Sequence, residues 1–157
     1  MLTSETIVKV KSNNSDAHGR HCNYYQINDR EGLKLWNNKG RRDDAYDMQL
    51  YCHSIGLAPY VGTKVEIATC KGMKYGYVTE HLTLVRDDVE SRHKLGRNKY
   101  FNAIDKAWDK IYKLKDRYKE FGVIYNDDTL SNTGIMSNGE YCAIDFGDFR
   151  KETNDDD

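Results

Sequence analysis

The sequence predicts an α+β chain in which a strand-rich first half precedes a helical second half. Three observations predict it. Short apolar–polar alternations recur through residues 1–82. An amphipathic helical repeat then runs from about Arg97 to Glu120. Beyond it, two short apolar runs flank an Asn-Gly pair, which signals a tight β-hairpin.

The first strand is expected over Thr6–Lys11, where apolar and polar residues alternate. Ser12 to Arg20 is polar and turn-rich, and His21–Ile27 reads as a second strand. Asn28–Glu31 reads as a turn and Gly32–Trp36 as a third strand. After a loop over Asn37–Arg42, Asp43-Asp44 offers an acidic N-cap and first turn for a helix to about Ser54. Its apolar face would carry Ala45, Met48, Leu50, Tyr51 and Cys52, with Gly56 and Pro59 ending it. Two more strands, Val61–Ala68 and Lys74–Glu80, are joined by a Cys-Lys-Gly turn. The long helix that follows presents Phe101, Ile104, Trp108, Ile111, Leu114, Tyr118 and Phe121 on one face, a pattern that reads as core packing.

A chain of 157 residues makes one domain or two small lobes and is long enough to bury a core. A net charge of −1 gives no electrostatic case for nucleic acid. Met1-Leu2-Thr3-Ser4-Glu5 lacks the basic-then-apolar start of a signal peptide, and no apolar run approaches a membrane span. Cys22, Cys52, Cys70 and Cys142 are spread out with no C-x-x-C, as expected of reduced thiols in a cytoplasmic protein. His18 and His21 have no third ligand nearby and read as ordinary loop residues. Asn154–Asp157 is expected to be a solvated acidic tail.

The residues with the clearest chemistry are Asp127, Asn132 and Asp145, at spacings of 5 and 13. The hairpin Gly134-Ile135-Met136, Ser137-Asn138-Gly139, Tyr141-Cys142-Ala143-Ile144 lies between the last two. It should bring Asn132 at its entrance close to Asp145 at its exit. Hard oxygen donors converging there suit magnesium, which takes one or two protein ligands plus phosphate oxygens and water. Asp127 would sit beside them as a base able to orient a hydroxyl.

These residues carry a resemblance to the protein-kinase-like superfamily. Its catalytic loop reads H-x-D-x-x-x-x-N and its metal motif D-F-G. Here the loop reads Tyr125-Asn126-Asp127 through Asn132, and Asp145-Phe146-Gly147 is intact. The resemblance implies a kinase-like N-lobe over 1–82, with about five antiparallel strands and one helix. It implies a truncated helical C-lobe over 83–150, carrying the long helix and catalytic hairpin, before the acidic tail at 151–157. It further implies ATP and magnesium as cofactors, Asp127 as catalytic base, and Asn132 and Asp145 as metal ligands. Gly32–Trp36 resembles the V-A-I-K strand, making Lys34, rather than Lys39, the phosphate-binding lysine. The following helix resembles the one whose glutamate pairs with that lysine. It contains no Glu, so Asp47 is the first substitute and Asp44 the second. Ser54–Val61 is similar to the G-L-x-P-x-V turn of aminoglycoside and choline kinases. Tyr77–Leu82 resembles their strand-to-hinge run, so Thr79 would border the adenine pocket and the backbone of Glu80 and Leu82 would bind the adenine edge.

The match departs from the family in four places. The phosphate loop, Ser12–His21, has one glycine, leaving Arg20 or His21 to substitute by charge and Asp16 to oppose phosphate. Tyr125 replaces His. Asp128 competes with Asp127 for the base role, though spacing favours Asp127. Ten residues follow Gly147, too few for the family's later helices. The long helix is therefore expected to be covered in part by another copy or a protein partner. Such short chains resemble small phage-encoded kinase-like proteins. The expected activity is phosphoryl transfer from Mg-ATP to a hydroxyl of a protein or small molecule. The alternative is a pseudokinase that binds or inhibits a partner without turnover. A metal-dependent nuclease built on Asp127, Asp128 and Asp145 is disfavoured by the lack of a basic stripe.

Overall fold

A computed structural model describes residues 17–18, 22–126, 128–147 and 150–151. The strand expected over Thr6–Lys11, most of the phosphate loop and the acidic tail lie outside them. The chain divides into two units. One comprises the described residues through Ser54 together with Pro59–His81; the other comprises Ile55–Ala58 and the residues from Leu82 on.

Among the described residues, the first unit is a five-stranded antiparallel sheet with one helix. Its strands are β1 (Ala17–His18), β2 (Cys22–Gln26), β3 (Glu31–Trp36), β4 (Val61–Thr69) and β5 (Gly72–Glu80), in the order β1-β2-β3-β5-β4. Thus β1 falls where the sequence suggested only a turn-rich loop, pairing Ala17 with Tyr24 and His18 with Asn23. The β2–β3 turn is set by the Asn28 side chain, whose Oδ1 accepts the N–H groups of Arg30 (2.8 Å) and Glu31 (2.9 Å). Strands β4 and β5 are joined through Cys70-Lys71 into Gly72, whose φ of 108° lies in the region glycine favours.

Side-chain alternation along β3 sorts the core into two faces. Leu33 and Leu35 pack with Ile67 and Val78 on one side. Trp36 packs with Ala45 and Tyr77 on the other, the Trp36 and Tyr77 rings stacked at 5.3 Å. The β3 and β5 backbones approach closely at Gly76, where a Cβ would lie 2.1 Å from the Lys34 carbonyl.

Helix α1 (Lys39–Ser54) starts four residues before the Asp43-Asp44 pair expected to begin it. Asn38 supplies the cap instead, its Oδ1 accepting the Arg41 N–H at 3.0 Å. Asp43 lies within the helix, where hydrogen bonds from Arg42 and then Lys64 hold its carboxyl below the usual range. The buried face also differs from the expected one. Ala45, Met48 and Cys52 belong to it, but its other members are polar, Arg42 and Gln49, while Leu50 is 45% exposed. Arg42 is satisfied there by donating Nη1 to the carbonyls of Val65 and Gly76, both at 3.1 Å, and Nε to Asp43 at 2.7 Å.

The second unit contains a stretch for which the sequence offered no prediction, β6 (Thr83–Leu84), α2 (Val85–Glu90) and a 3-10 turn over Ser91–Leu95. Helix α3 (Arg97–Glu120) has the predicted bounds and buries Ala107, Ile111, Leu114 and Tyr118. Phe101 and Phe121, expected on that face, are 49% and 42% exposed. Phe101 lies against Arg97 and Tyr100, and Phe121 lies past the helix end. The remaining strands are β7 (Val123–Ile124), β8 (Thr133–Ile135), β9 (Tyr141–Ala143) and β10 (Arg150–Lys151). They form a β6-β8-β9 sheet and a β7-β10 pair. The four cysteines form no disulfide. No helix among the described residues is long and apolar enough to cross a membrane.

Candidate functional site

In the first unit, two of the predicted site residues, Lys34 and Thr79, meet at Gln49. Lys34 points from the centre of β3 toward α1 and is 9% exposed. Its Nζ donates to Gln49 Oε1 at 3.4 Å and lies 5.8 Å from the centre of the Tyr77 ring. The same Oε1 accepts the Tyr77 hydroxyl at 2.7 Å. Gln49 Nε2 donates to Thr79 Oγ1 at 2.7 Å and to the Pro59 carbonyl at 3.2 Å. Thr79, 2% exposed, donates its hydroxyl to the Tyr60 carbonyl at 3.1 Å. Gln49 is wholly buried, and both ends of its amide are used.

This arrangement corrects the expected partner of Lys34. Asp47 and Asp44 are exposed, and among the described residues neither forms an ion pair with it. Two residues along a helix is a rotation of about 200°, so when Gln49 faces the sheet Asp47 must face away. The helix therefore offers Lys34 a neutral amide dipole. A carboxylate pattern in the sequence does not single out Gln49. A glutamine on the Met48–Cys52 face, four residues after Ala45, was the available signal.

The residues expected to border the adenine lie at the edge of the same network. Glu80 sits opposite Glu31 across β3 and β5. Tyr60 donates its hydroxyl to Glu31 at 2.9 Å, and burial together with the Glu31 and Glu80 charges pushes its pKa up to about 12. The His81 N–H donates to the Arg30 carbonyl at 2.8 Å, while its Nδ1 is hydrogen-bonded to the Tyr24 hydroxyl. Leu82 belongs to the second unit and packs over Gly134, where a Cβ would meet its Cδ1 at 2.8 Å.

In the second unit, β8 and β9 form the hairpin read from the sequence, with Thr133 opposite Ala143 and Ile135 opposite Tyr141. Gly139, at φ 85°, closes its turn by donating to the Met136 carbonyl at 2.8 Å. The pairing extends one step past the strands, where the Ile144 N–H donates to the Asn132 carbonyl at 3.3 Å. Asn132 and Asp145 therefore flank the open end of one hairpin. Asp145 Oδ1 accepts the Gly147 N–H at 3.0 Å, which fixes the carboxylate at the start of Asp145-Phe146-Gly147.

Tyr125 is 1% exposed and clamps the loop ahead of the hairpin. Its hydroxyl donates to the Asn132 carbonyl at 3.1 Å and is bonded to Thr133 Oγ1 at 2.8 Å. Thr133 in turn donates to the Thr129 carbonyl at 2.8 Å. Tyr118 braces the hairpin from α3, accepting the Ala143 N–H at 3.0 Å and donating to the Leu57 carbonyl at 2.6 Å. Asp127 lies outside the described residues, as do Asp16, Arg20 and His21. Asp128 is engaged by Lys115 at 3.2 Å. Its carboxylate thus has a structural partner, which weakens its claim to the base role.

No protein-family model and no curated protein matches the sequence. Solved structures do match the fold. A crystal structure of monomeric WbdD overlays with a TM-score of 0.55 at 16% identity, over 84% of this chain and 33% of that one. A 2.2 Å crystal structure of WbdD gives 0.53, also at 16% identity, over 84% and 31% of the two chains. A co-crystal structure of WbdD with the kinase inhibitor LY294002 gives 0.49 at 16% identity, over 85% and 32%. The chain thus spans about a third of the length of the structures it resembles. At this identity the likeness shows the fold alone, an α+β, kinase-like fold.

Proposed function

We propose that this chain binds ATP with magnesium and transfers a phosphoryl group to a hydroxyl of a protein or small molecule. The observation that supports this reading is the hairpin register, which sets Asn132 across from Ile144, the residue before Asp145. One carboxylate and one amide oxygen form a hard donor set that suits magnesium, with phosphate oxygens and water completing the shell. Bound there, the metal would neutralise charge on the transferring phosphoryl group. For that task the Gly147 N–H would hold the Asp145 carboxylate, and the Tyr125 hydroxyl would hold the Asn132 backbone. Asp127 would orient the attacking hydroxyl. Lys34, anchored by Gln49, would hold the α- and β-phosphates, and the Thr79–Leu82 segment would border the adenine.

The test is radiolabelled phosphotransfer from γ-labelled ATP with magnesium, to the chain itself and to a panel of hydroxyl acceptors. Asp145→Asn should lower the rate by at least about 100-fold, the scale expected when one transition-state charge partner is lost. An unchanged rate would refute the mechanism. One observation bears on the second reading, a pseudokinase that binds a partner: the α1 side chain that Lys34 meets is the Gln49 amide, where the resemblance implies a carboxylate. A thermal shift with Mg-ATP but no transfer to any acceptor would decide for it.

A further inference from the structure

The second unit carries a groove that the phosphoryl-transfer reading leaves unused. It lies between α2, the 3-10 turn after it, one face of α3 and the β8–β9 hairpin, with a volume of about 610 Å³. Its floor is apolar, with Val89 and Ala107 at 3% and 2% exposure and Ile135 beside them. Its rim is cationic. Lys99, Lys106 and Lys110 line it from α3, all three exposed. Steps of seven and four residues keep these lysines within about 40° of one another around the helix axis. None of the three is in an ion pair among the described residues. Lys110 instead lies over the Tyr141 ring, 5.1 Å from its centre. The single acidic residue in the lining, Asp88, is taken by Arg92 at 3.6 Å. A chain of net charge −1 therefore gathers, among its described residues, three cations without ion pairs along one apolar-floored channel.

We infer that this groove binds an acidic peptide segment of a partner protein, with carboxylates on the lysines and an apolar side chain on the Val89–Ala107 floor. The spacing of the charges selects that occupant. At about 1.5 Å per helical residue, Lys106 and Lys110 are separated by about 6 Å along the axis, and Lys99 and Lys106 by about 10 Å. No single phosphate or carboxylate spans those intervals. An extended peptide rises about 3.3 Å per residue, so acidic residues two and three apart match the two intervals in turn. The apolar floor, and Tyr141 as the one aromatic in the lining, favour a peptide over a nucleic acid strand, which would want stacking surfaces and a longer basic track. The groove uses none of the residues assigned to phosphoryl transfer, so its fate and that of the proposed function are separable.

The test pans a random nonapeptide display library against the full chain and measures the enriched peptides by fluorescence polarisation. Enriched sequences should carry Asp or Glu at spacings of two and three, with an apolar residue between. Their affinity should fall with added salt, and by at least about tenfold in the K99E/K106E/K110E variant. The three lysines are exposed, so an unchanged melting temperature checks the fold, and the milder K99Q/K106Q/K110Q variant should fall between the two. Replacing the peptide's apolar residue with serine should also weaken binding, which charge attraction alone would not require. Enriched peptides without acidic residues, equal binding by the charge-reversed variant, or tighter binding of a labelled single-stranded oligonucleotide than of any peptide would each overturn the assignment.

Discussion

Gln49→Leu tests whether one buried amide organises the first unit. Leucine conserves most of the volume and packs against the same Met48–Cys52 face, so the change isolates the polar interactions. The substitution removes the bonds from Tyr77 at 2.7 Å and to Thr79 at 2.7 Å, the bond to the Pro59 carbonyl at 3.2 Å, and the long contact from Lys34 at 3.4 Å. Thr79 keeps its bond to the Tyr60 carbonyl, which limits the damage there. At about 1 kcal/mol for each of the three shorter bonds, and little for the long one, the expected loss is about 3 kcal/mol. Urea unfolding followed by tryptophan fluorescence measures it directly, because Trp36 stacks on Tyr77. A double-mutant cycle with Tyr77→Phe should show coupling of about 1 kcal/mol. A loss under about 1 kcal/mol for Gln49→Leu would mean that the amide fills space without organising the unit, refuting its role as anchor.

Gly76→Ala should destabilise by at least about 1–3 kcal/mol in the same assay, because the added methyl meets backbone, the Lys34 carbonyl at 2.1 Å, which cannot turn aside. Tyr125→Phe keeps the ring against Tyr118 but loses the bonds to Asn132 and Thr133; it should cost about 1–2 kcal/mol and raise amide hydrogen exchange at Asn132–Thr133 more than in β3. The Tyr60 pKa, pushed up to about 12 chiefly by burial and then by Glu31, means that the folded chain holds this proton more tightly than the unfolded one. Its contribution is therefore complete below the ordinary value near 10 and is lost as pH rises through about 12. Melting temperature should fall over that window in the wild type and fall less in Tyr60→Phe.

The elements whose signal is local were legible in the sequence. The α3 bounds follow from a seven-residue run of helical-period side chains, and the β8–β9 hairpin from Asn138-Gly139 between apolar runs. The start of α1 was misread because an acidic pair mid-helix resembles an N-cap, while the true cap, Asn38, is followed by Gly40 and two arginines. Neither Phe101 nor Leu50 shows from periodicity alone that it lies outside the region its neighbours cover. The site divided in the same way. Asn132 and Asp145 can be related through hairpin register, which depends on a few adjacent residues. The partner of Lys34 depends on how α1 rotates against β3, and that rotation is fixed by buried Arg42 and Gln49, two polar residues that a search for apolar stripes passes over.

The short turn Ile55–Ala58 separates from its sequence neighbours and belongs with residues that come much later in the chain. Leu57 is 1% exposed, and its carbonyl takes the hydroxyl of Tyr118, which also receives the N–H of Ala143. One phenol thus ties together positions 57, 118 and 143, the first two being 61 residues apart. During synthesis the Leu57 carbonyl emerges 61 residues ahead of the Tyr118 hydroxyl that it accepts. Cutting the chain after His81 would not release a clean sheet-and-helix fragment. It would strip the Leu57 carbonyl of the Tyr118 hydroxyl that it accepts.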